Sequence, residues 1–283
     1  MLKPAQIDPL VQAALREDVG SKDLTSSALI PKSVFVKADI VFRESGVLCG
    51  IQIAERAFRL VDENLRFLPV ADDGEMIEPD REIAYVEGNG PGILVAERTA
   101  LNFLSHLSGI ATLTRQFVEK IKGTPARILD TRKTAPNLRL LEKYAVKTGG
   151  GVNHRWGLYD EVLVKDNHLR VLRNQPIAEI VARAKAGAQK NTAVGVEVKN
   201  LKEFAEALKS KADVILLDNM SAAQVKEAVA MRKKTGGKAE LEVSGGIGLD
   251  NVREYAETGV ERISVGALTH SARAIDIALD IVG

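Results

Sequence analysis

The sequence predicts an α/β protein built as an N-terminal α+β domain followed by a parallel-stranded unit, and three observations carry that reading. Past Gly123, six short β-rich runs recur, each followed by a helical segment. Before Gly92, strand-like and helical stretches mix without that rhythm. Between the two lies a long run with apolar residues at spacings of three and four. The chain has 283 residues, enough for one large or two ordinary domains. Its 39 basic and 38 acidic side chains leave a net charge of +1, so no global field favours nucleic acid or an anionic membrane, and any anion site must be local. Cys49 is the only cysteine, which excludes an internal disulfide and fits a reducing compartment. The first residues, MLKPAQIDPLVQAALRED, lack the pattern of a secretory leader, and no apolar run reaches membrane-spanning length, so a cytoplasmic protein is expected.

Taken in order, VKADIVFRESGVLCG reads as strand, IQIAERAFRLVDEN as helix, DDGEMIEPD as turns and EIAYVEG as strand, together a small α+β unit. The stretch ILVAERTALNFLSHLSGIATLTRQFVEKIKG reads as one long helix joining two domains. The six later strands are read in ARILDTRKT, DEVLVKDNH, AVGVEVKN, DVILLDNM, KAELEVSGG and ERISVGA, with helices such as LKEFAEALKSKA between them. Such a sheet is either closed, or nearly closed, as a (β/α) barrel or open and doubly wound. Residues 1–106 are assigned to the N-terminal domain and 107–270 to the barrel, with a C-terminal helix over 271–283 packing back on the first domain.

In a barrel, function gathers at the C-terminal ends of the strands. Those ends are polar here: Asp130, Thr131, Arg132 and Lys133 after the first run, Lys165 to His168 after the second, Glu197, Lys199 and Asn200 in the third, Asp218 and Asn219 in the fourth. Alternation along a strand puts Glu197 and Lys199 on one face, and lets Glu197 and Asp218 point at one spot from neighbouring strands. One charged strand end is most simply a structural ion pair, but four in succession favour a ligand site. The last two units carry glycine turns, Ser244-Gly245-Gly246 and Gly266, where backbone N–H groups and a following helix can receive a phosphate. Neither is a P-loop, and no dinucleotide fingerprint is present. With Arg132, Lys133, His154, Arg155 and Lys165 on one wall and Glu197 and Asp218 on the other, the implied ligand is a small polyanion with a sugar phosphate part. The two carboxylates suit ribose hydroxyls or a Mg²⁺ that bridges phosphates. Trp156 and Tyr159 are read as packing residues.

ERTALNFLSHLSGIAT, LDTRKTAPNLRLLEKYAVKTGGGVNHRWGLYD, VLVKDNH, VEV, LLDN and SGGI together resemble the quinolinate phosphoribosyltransferase family, the decarboxylating nicotinate-nucleotide pyrophosphorylases of NAD biosynthesis, from about Asp18 onward. The resemblance implies an open barrel of six to seven parallel strands, and a homodimer with shared active sites that allows further assembly. It implies that Arg132, His154, Arg155 and Lys165 hold the carboxylates of quinolinate, with Arg98 reaching in from the neighbouring subunit and the glycines before His154 letting that loop fold over the barrel mouth. Lys133 would meet phosphoribosyl pyrophosphate, and Glu197 and Asp218 its ribose or Mg²⁺, directly or through the substrate, with Thr131 among the substrate-binding residues. Ser244, Gly245 and Gly246, with Val265, Gly266, Ala267 and His270, would take its 5′-phosphate. Lys133, Lys165, Glu197 and Asp218 would stand nearest the chemistry. Two rival readings keep part of this pattern. A Schiff-base lyase would use Lys165 or Lys199, and a sugar-phosphate sensor or a molybdenum-transport relative would need no quinolinate clamp.

Overall fold

The computed structural model describes residues 2–172 and 175–282, so Met1, Arg173, Asn174 and Gly283 lie outside it, the last of them the end of the segment read as a terminal helix. The chain forms two compact units that interleave in sequence. One contains the chain up to Arg115, Ala135–Gly150 and the residues from Ser271 onward; the other contains Gln116–Thr134 and Gly151–His270. No described helix is long and apolar enough to cross a membrane.

The first unit opens with α1 (Pro4–Val19), whose buried Ile7, Val11 and Leu15 recur every fourth position, and α2 (Leu24–Leu29), capped by Asp23 accepting from the Thr25 and Ser26 amides. There follow β1 (Phe35–Phe42), β2 (Gly46–Val47), α3 (Ile51–Val61), β3 (Arg66–Pro69), β4 (Met76–Ile77) and β5 (Arg81–Asn89). The α3 helix buries Ile51, Ala54, Ala57 and Phe58 along one face, and Asp73 accepts from the first amides, Gly50 and Ile51, where a negative charge is favoured. The long stretch of three-four spacing is one helix, α4 (Gly90–Lys120), and α5 (Arg139–Thr148) also belongs to this unit up to Gly150. Residues 277–282, expected in a helix, instead form strand β12 (Ile277–Val282), completing an antiparallel sheet of order β12-β1-β5-β3. The reason is the free edge of β1, along which β12 pairs from Phe42 opposite Ile277 to Lys37 opposite Val282. Those ladder bonds outweigh an apolar spacing that suits either structure.

At the end of α5, Gly149 lies so close to α4 that a Cβ would stand 2.4 Å from the Ala111 carbonyl oxygen and 2.7 Å from Thr114 Cβ, and Gly150 follows at φ +96°. Close packing and a left-handed turn account for these two glycines, where the sequence reading had given them to a loop folding over a barrel mouth. Gly149→Ala is expected to destabilise the protein by about 1–3 kcal/mol, seen as a lower thermal midpoint. An unchanged midpoint would mean that α4 and α5 part without cost.

All six strand runs of the second unit are present: β6 (Arg127–Leu129), β7 (Val162–Val164), β8 (Val194–Val198), β9 (Val214–Asp218), β10 (Glu240–Ser244) and β11 (Arg262–Ser264). The helices between and after them are α6 (Asp166–Val171), α7 (Ile177–Gly187), α8 (Leu201–Ala207), α9 (Ala222–Thr235), α10 (Val252–Glu257) and α11 (Ala267–His270). The sheet is parallel throughout, in the order β6-β11-β10-β9-β8-β7. Every residue of β8 is buried, as expected of a parallel strand covered on both faces. A seventh strand is reduced to one residue: Val152 bridges to Leu129, its amide donating to the Ile128 carbonyl at 2.8 Å. β6 and β7 stand at the two ends of this order and, among the described residues, do not pair with each other, so the sheet is open.

Candidate active site

Strand register decides which side chains meet. Glu197, Leu216, Glu242 and Arg262 stand side by side on β8, β9, β10 and β11, and two residues further on Asp218, Ser244 and Ser264 form a second row on the same face. Residues of both rows, with Thr131, Arg132 and Lys133 after β6 and Lys165 after β7, line one cavity of about 320 Å³, joined by His154, Arg155 and Leu163. The C-terminal ends of all six strands thus converge on one space, the position of function in a barrel.

Of the expected residues, Thr131, Arg132, Lys133, His154, Arg155, Lys165, Glu197, Asp218 and Ser244 line this cavity. Gly245, Gly246, Val265, Gly266, Ala267 and His270 do not line it, but several lie close by. A Cβ on Gly266 would be 3.0 Å from Lys133 Cδ and 3.1 Å from His270 Nε2, and Thr269 Oγ1 donates to the Lys133 carbonyl at 2.7 Å. Gly245 and Gly246 take φ +97° and +64°, and a Cβ on Gly245 would collide with Asn219 Oδ1 at 2.2 Å. The loop is held by Asn251, which accepts from the Gly248 amide and donates to the Gly246 carbonyl. The helix that follows these glycines, α10, begins at Val252. Arg98 sits on α4 in the first unit and is not among the cavity residues. Lys199 is turned to Asp166 at 2.6 Å and is also absent from the lining, although it shares a strand face with Glu197.

The cation wall is built on a tight turn. Asp160 accepts from the Trp156 and Gly157 amides at 2.6 and 3.0 Å, and the ring of Tyr159 lies where a Cβ on Gly157 would be. Tyr159 is 81% exposed, so the packing role expected of it is not met within this chain. Buried Asp130 accepts from the His154 amide at 2.9 Å, and Arg155 Nη1 donates to the Glu161 carbonyl at 3.0 Å. Burial, and then the charge of Arg132, lower the pKa of the Arg155 guanidinium against the opposing fields of Glu161, Asp160 and Glu242. Lys165 Nζ stands 3.4 Å from Glu197 Oε2, while Glu197 Oε1 receives the Asp166 amide at 3.3 Å. Asp218 accepts from Asn219 Nδ2 at 2.9 Å.

Four groups escaped the sequence reading. Glu242, Ser264 and Arg262 lie beneath the cavity rim, and Glu161 beside them. Glu242 is 1% exposed; its Oε1 accepts from Ser264 Oγ at 2.6 Å and stands 3.2 Å from His154 Nε2, while its Oε2 is 2.8 Å from Arg262 Nε in an ion pair whose N–H is not aimed along the contact. Burial pushes the Glu242 pKa up, but the hydrogen bond and field of His154, then Arg262 and Ser264, outweigh it and hold it below the usual carboxylate range. For Glu161 burial prevails and raises the pKa, against the charges of His154, Arg262 and Arg155.

Chemically, the cavity can neutralise a small polyanion on one side and present two carboxylates on the other. Among the described residues no three His, Cys, Asp or Glu gather as a metal site. Glu197 and Asp218 nevertheless fit a Mg²⁺ that arrives on a pyrophosphate, since that ion keeps much of its water and needs only one or two carboxylates. A Schiff-base lysine fits poorly: Lys165 is ion-paired and half exposed, and Lys199 lies outside the cavity, whereas such an amine is made nucleophilic by desolvation or a neighbouring cation.

Known proteins with the same organisation carry consistent names. The N-terminal domain of quinolinate phosphoribosyl transferase matches residues 23–108 and its C-terminal domain residues 110–280. A probable nicotinate-nucleotide pyrophosphorylase (carboxylating) of Methanocaldococcus jannaschii is 42% identical over 279 residues, covering 96% of each chain. A mitochondrial quinolinate phosphoribosyltransferase (decarboxylating) of Nicotiana tabacum is 38% identical over 289 residues, covering 96% of this chain and 81% of its own. The solved nicotinate-nucleotide pyrophosphorylase of Francisella tularensis superposes with a TM-score of 0.93 at 39% identity, over 100% of this chain and 98% of the other.

Proposed function

The chain belongs to the quinolinate phosphoribosyltransferase family, and on that premise we propose that it transfers the phosphoribosyl group of phosphoribosyl pyrophosphate to quinolinate with decarboxylation, giving nicotinate mononucleotide, pyrophosphate and CO₂, a step of NAD biosynthesis. The observation that carries the reading to this chain is the cavity itself, in which Arg132, Lys133, Arg155 and Lys165 face Glu197 and Asp218 across the converging strand ends.

In this proposal Arg132, Arg155 and Lys165 take the two carboxylates of quinolinate, the guanidinium forks matching them in pairs. Thr131 and Lys133 meet the pyrophosphate end of the other substrate. Ser244, the Gly245–Gly246 amides and the 265–267 turn with His270 receive the 5′-phosphate, supported by the contacts that gather Lys133, Gly266 and His270. Held in this way, the ring nitrogen of quinolinate attacks C1 of the ribose as the pyrophosphate oxygen leaves. Glu197 and Asp218 lie where positive charge grows on the ribose. Mg²⁺, when bound, supplies charge neutralisation to the departing pyrophosphate. Ribosylation makes the ring nitrogen cationic, so the electron pair released as the C2 carboxylate departs as CO₂ is stabilised beside it, and C2 then takes a proton. The cations first attract that carboxylate and fix it, and the chain's part is orientation rather than acid catalysis.

A homodimer whose subunits share sites through Arg98 belongs to the same proposal. So does a cytoplasmic location, with which a single buried Cys49 is in keeping. The direct test supplies purified protein with quinolinate labelled in its C2 carboxylate, phosphoribosyl pyrophosphate and Mg²⁺, and follows labelled CO₂ together with nicotinate mononucleotide. Failure to form either product refutes the assignment. Asp218→Asn is expected to raise the KM for phosphoribosyl pyrophosphate by about tenfold or more while the KM for quinolinate stays within about threefold. Equal rises in both would give Asp218 a structural role instead.

A further inference from the structure

Beneath the cation wall, one buried carboxylate is met by a hydroxyl, an imidazole nitrogen and a guanidinium. Glu242 is 1% exposed, and Ser264 Oγ, His154 Nε2 and Arg262 Nε stand 2.6, 3.2 and 2.8 Å from its two oxygens. An ionised carboxylate can only accept. His154 Nε2 must therefore carry a proton toward it. The other ring nitrogen is committed the opposite way: the Arg155 backbone amide donates to His154 Nδ1 at 2.7 Å, which requires Nδ1 to be bare. Glu161 Oε2 also faces Nδ1 but is 3.7 Å away, beyond hydrogen-bond reach, so it does not demand a second proton on the ring. Both nitrogens of His154 thus face protein groups, and the residue lines the cavity.

We propose that Glu242 is a positioning residue for the phosphoribosyl transfer described above, setting the proton of His154 on Nε2 so that Nδ1 can fix the Arg155 amide and, through it, the guanidinium that receives quinolinate. The arrangement has the logic of a second layer that chooses a histidine's tautomer, although the ring here holds backbone rather than metal or substrate. Arg155 is then fixed at two points, its amide by His154 and its Nη1 by the Glu161 carbonyl, which leaves its remaining N–H groups preset for a carboxylate. Loss of the Glu242 charge frees His154 to take either tautomer, and the tautomer with Nδ1–H opposes the Arg155 amide donor to donor.

This inference rests on the quinolinate reading, and two measurements separate the fate of each. Nitrogen-15 NMR of the wild-type protein labelled in histidine should give His154 as a neutral ring protonated on Nε2; a ring protonated on Nδ1, or on both nitrogens, overturns the inference whether or not the enzyme turns over. In steady-state kinetics, Glu242→Gln, which keeps the shape but not the charge, should raise the KM for quinolinate by about tenfold or more, with the KM for phosphoribosyl pyrophosphate within about threefold and the His154 resonances now reporting mixed tautomers. Glu242→Asp, which restores the charge, should recover the wild-type tautomer and part of the quinolinate affinity. Parallel rises in both KM values, or a changed KM with an unchanged tautomer, would make Glu242 a structural residue only. Wild-type protein inactive with both substrates would instead refute the quinolinate reading, leaving the tautomer measurement to stand by itself.

Discussion

Nicotinate offered in place of quinolinate is expected to be used at least about a hundredfold less efficiently, in kcat/KM, because the pocket is built for two carboxylates and nicotinate brings one. The argument lies in the charges. Burial, and then the charge of Arg132, depress the pKa of Arg155, so the wall sets like charges close to one another. A dianion relieves that repulsion at every point. A monoanion withdraws one carboxylate from a wall whose buried member is Arg155, and breaking a buried pair costs about 3–5 kcal/mol. The same missing carboxylate also removes the group whose departure draws product formation forward. The measurement is paired kinetics on both acids with phosphoribosyl pyrophosphate and Mg²⁺, and comparable efficiency for the two would dispose of the proposed clamp.

Mixing two inactive variants is the second test, and it addresses the shared site. Arg98 lies on α4 and Arg155 on the turn that enters the cavity of the other unit. In the proposed dimer, Arg98 of one copy completes the pocket that holds Arg155 of the other. Arg98→Ala and Arg155→Ala should each lose about 2–5 kcal/mol of quinolinate binding, and so be nearly inactive alone. Subunit exchange between them should restore activity, since each mixed dimer has one pocket with both arginines and one with neither. Random exchange makes half the dimers mixed and half of their pockets whole, for a recovery of about a quarter of wild-type activity. Exchange verified by mass without recovered activity would place Arg98 outside any shared site.

Much of this site was legible because polarity at a strand end is conspicuous. DTRKT, VKDNH and LLDN interrupt apolar runs, and the residues they signalled, Arg132, Lys165 and Asp218 among them, line one cavity. Glu242 and Ser264 were missed for the complementary reason. They sit inside ELEVS and RIS, where period-two alternation makes a polar residue look like the solvent face of a strand, and only the parallel pairing of β10 between β9 and β11 turns that face inward. The available signal was an acidic residue in a strand with parallel neighbours on both sides, a position with no solvent face. Lys199 fails in the opposite sense: alternation puts it on the face of Glu197, yet a long side chain beyond the strand end reaches the nearer Asp166. The terminal strand was not legible either, since IALDIV suits helix or strand and the choice is made by the free edge of β1.

That last pairing also governs the order in which the molecule can be assembled. Phe42 finds its partner Ile277 only after the whole of the second unit has been synthesised, so β1 has β5 on one side and an open row of amides and carbonyls on the other for nearly the entire time the chain is emerging. The second unit needs nothing beyond His270 for its own strands. The ribosome therefore delivers a complete parallel sheet before a complete N-terminal sheet. A strand drawn from so far along the chain is slow to be found, and until it docks, the exposed edge of β1 is the place where a nascent chain is most open to pairing with a neighbour.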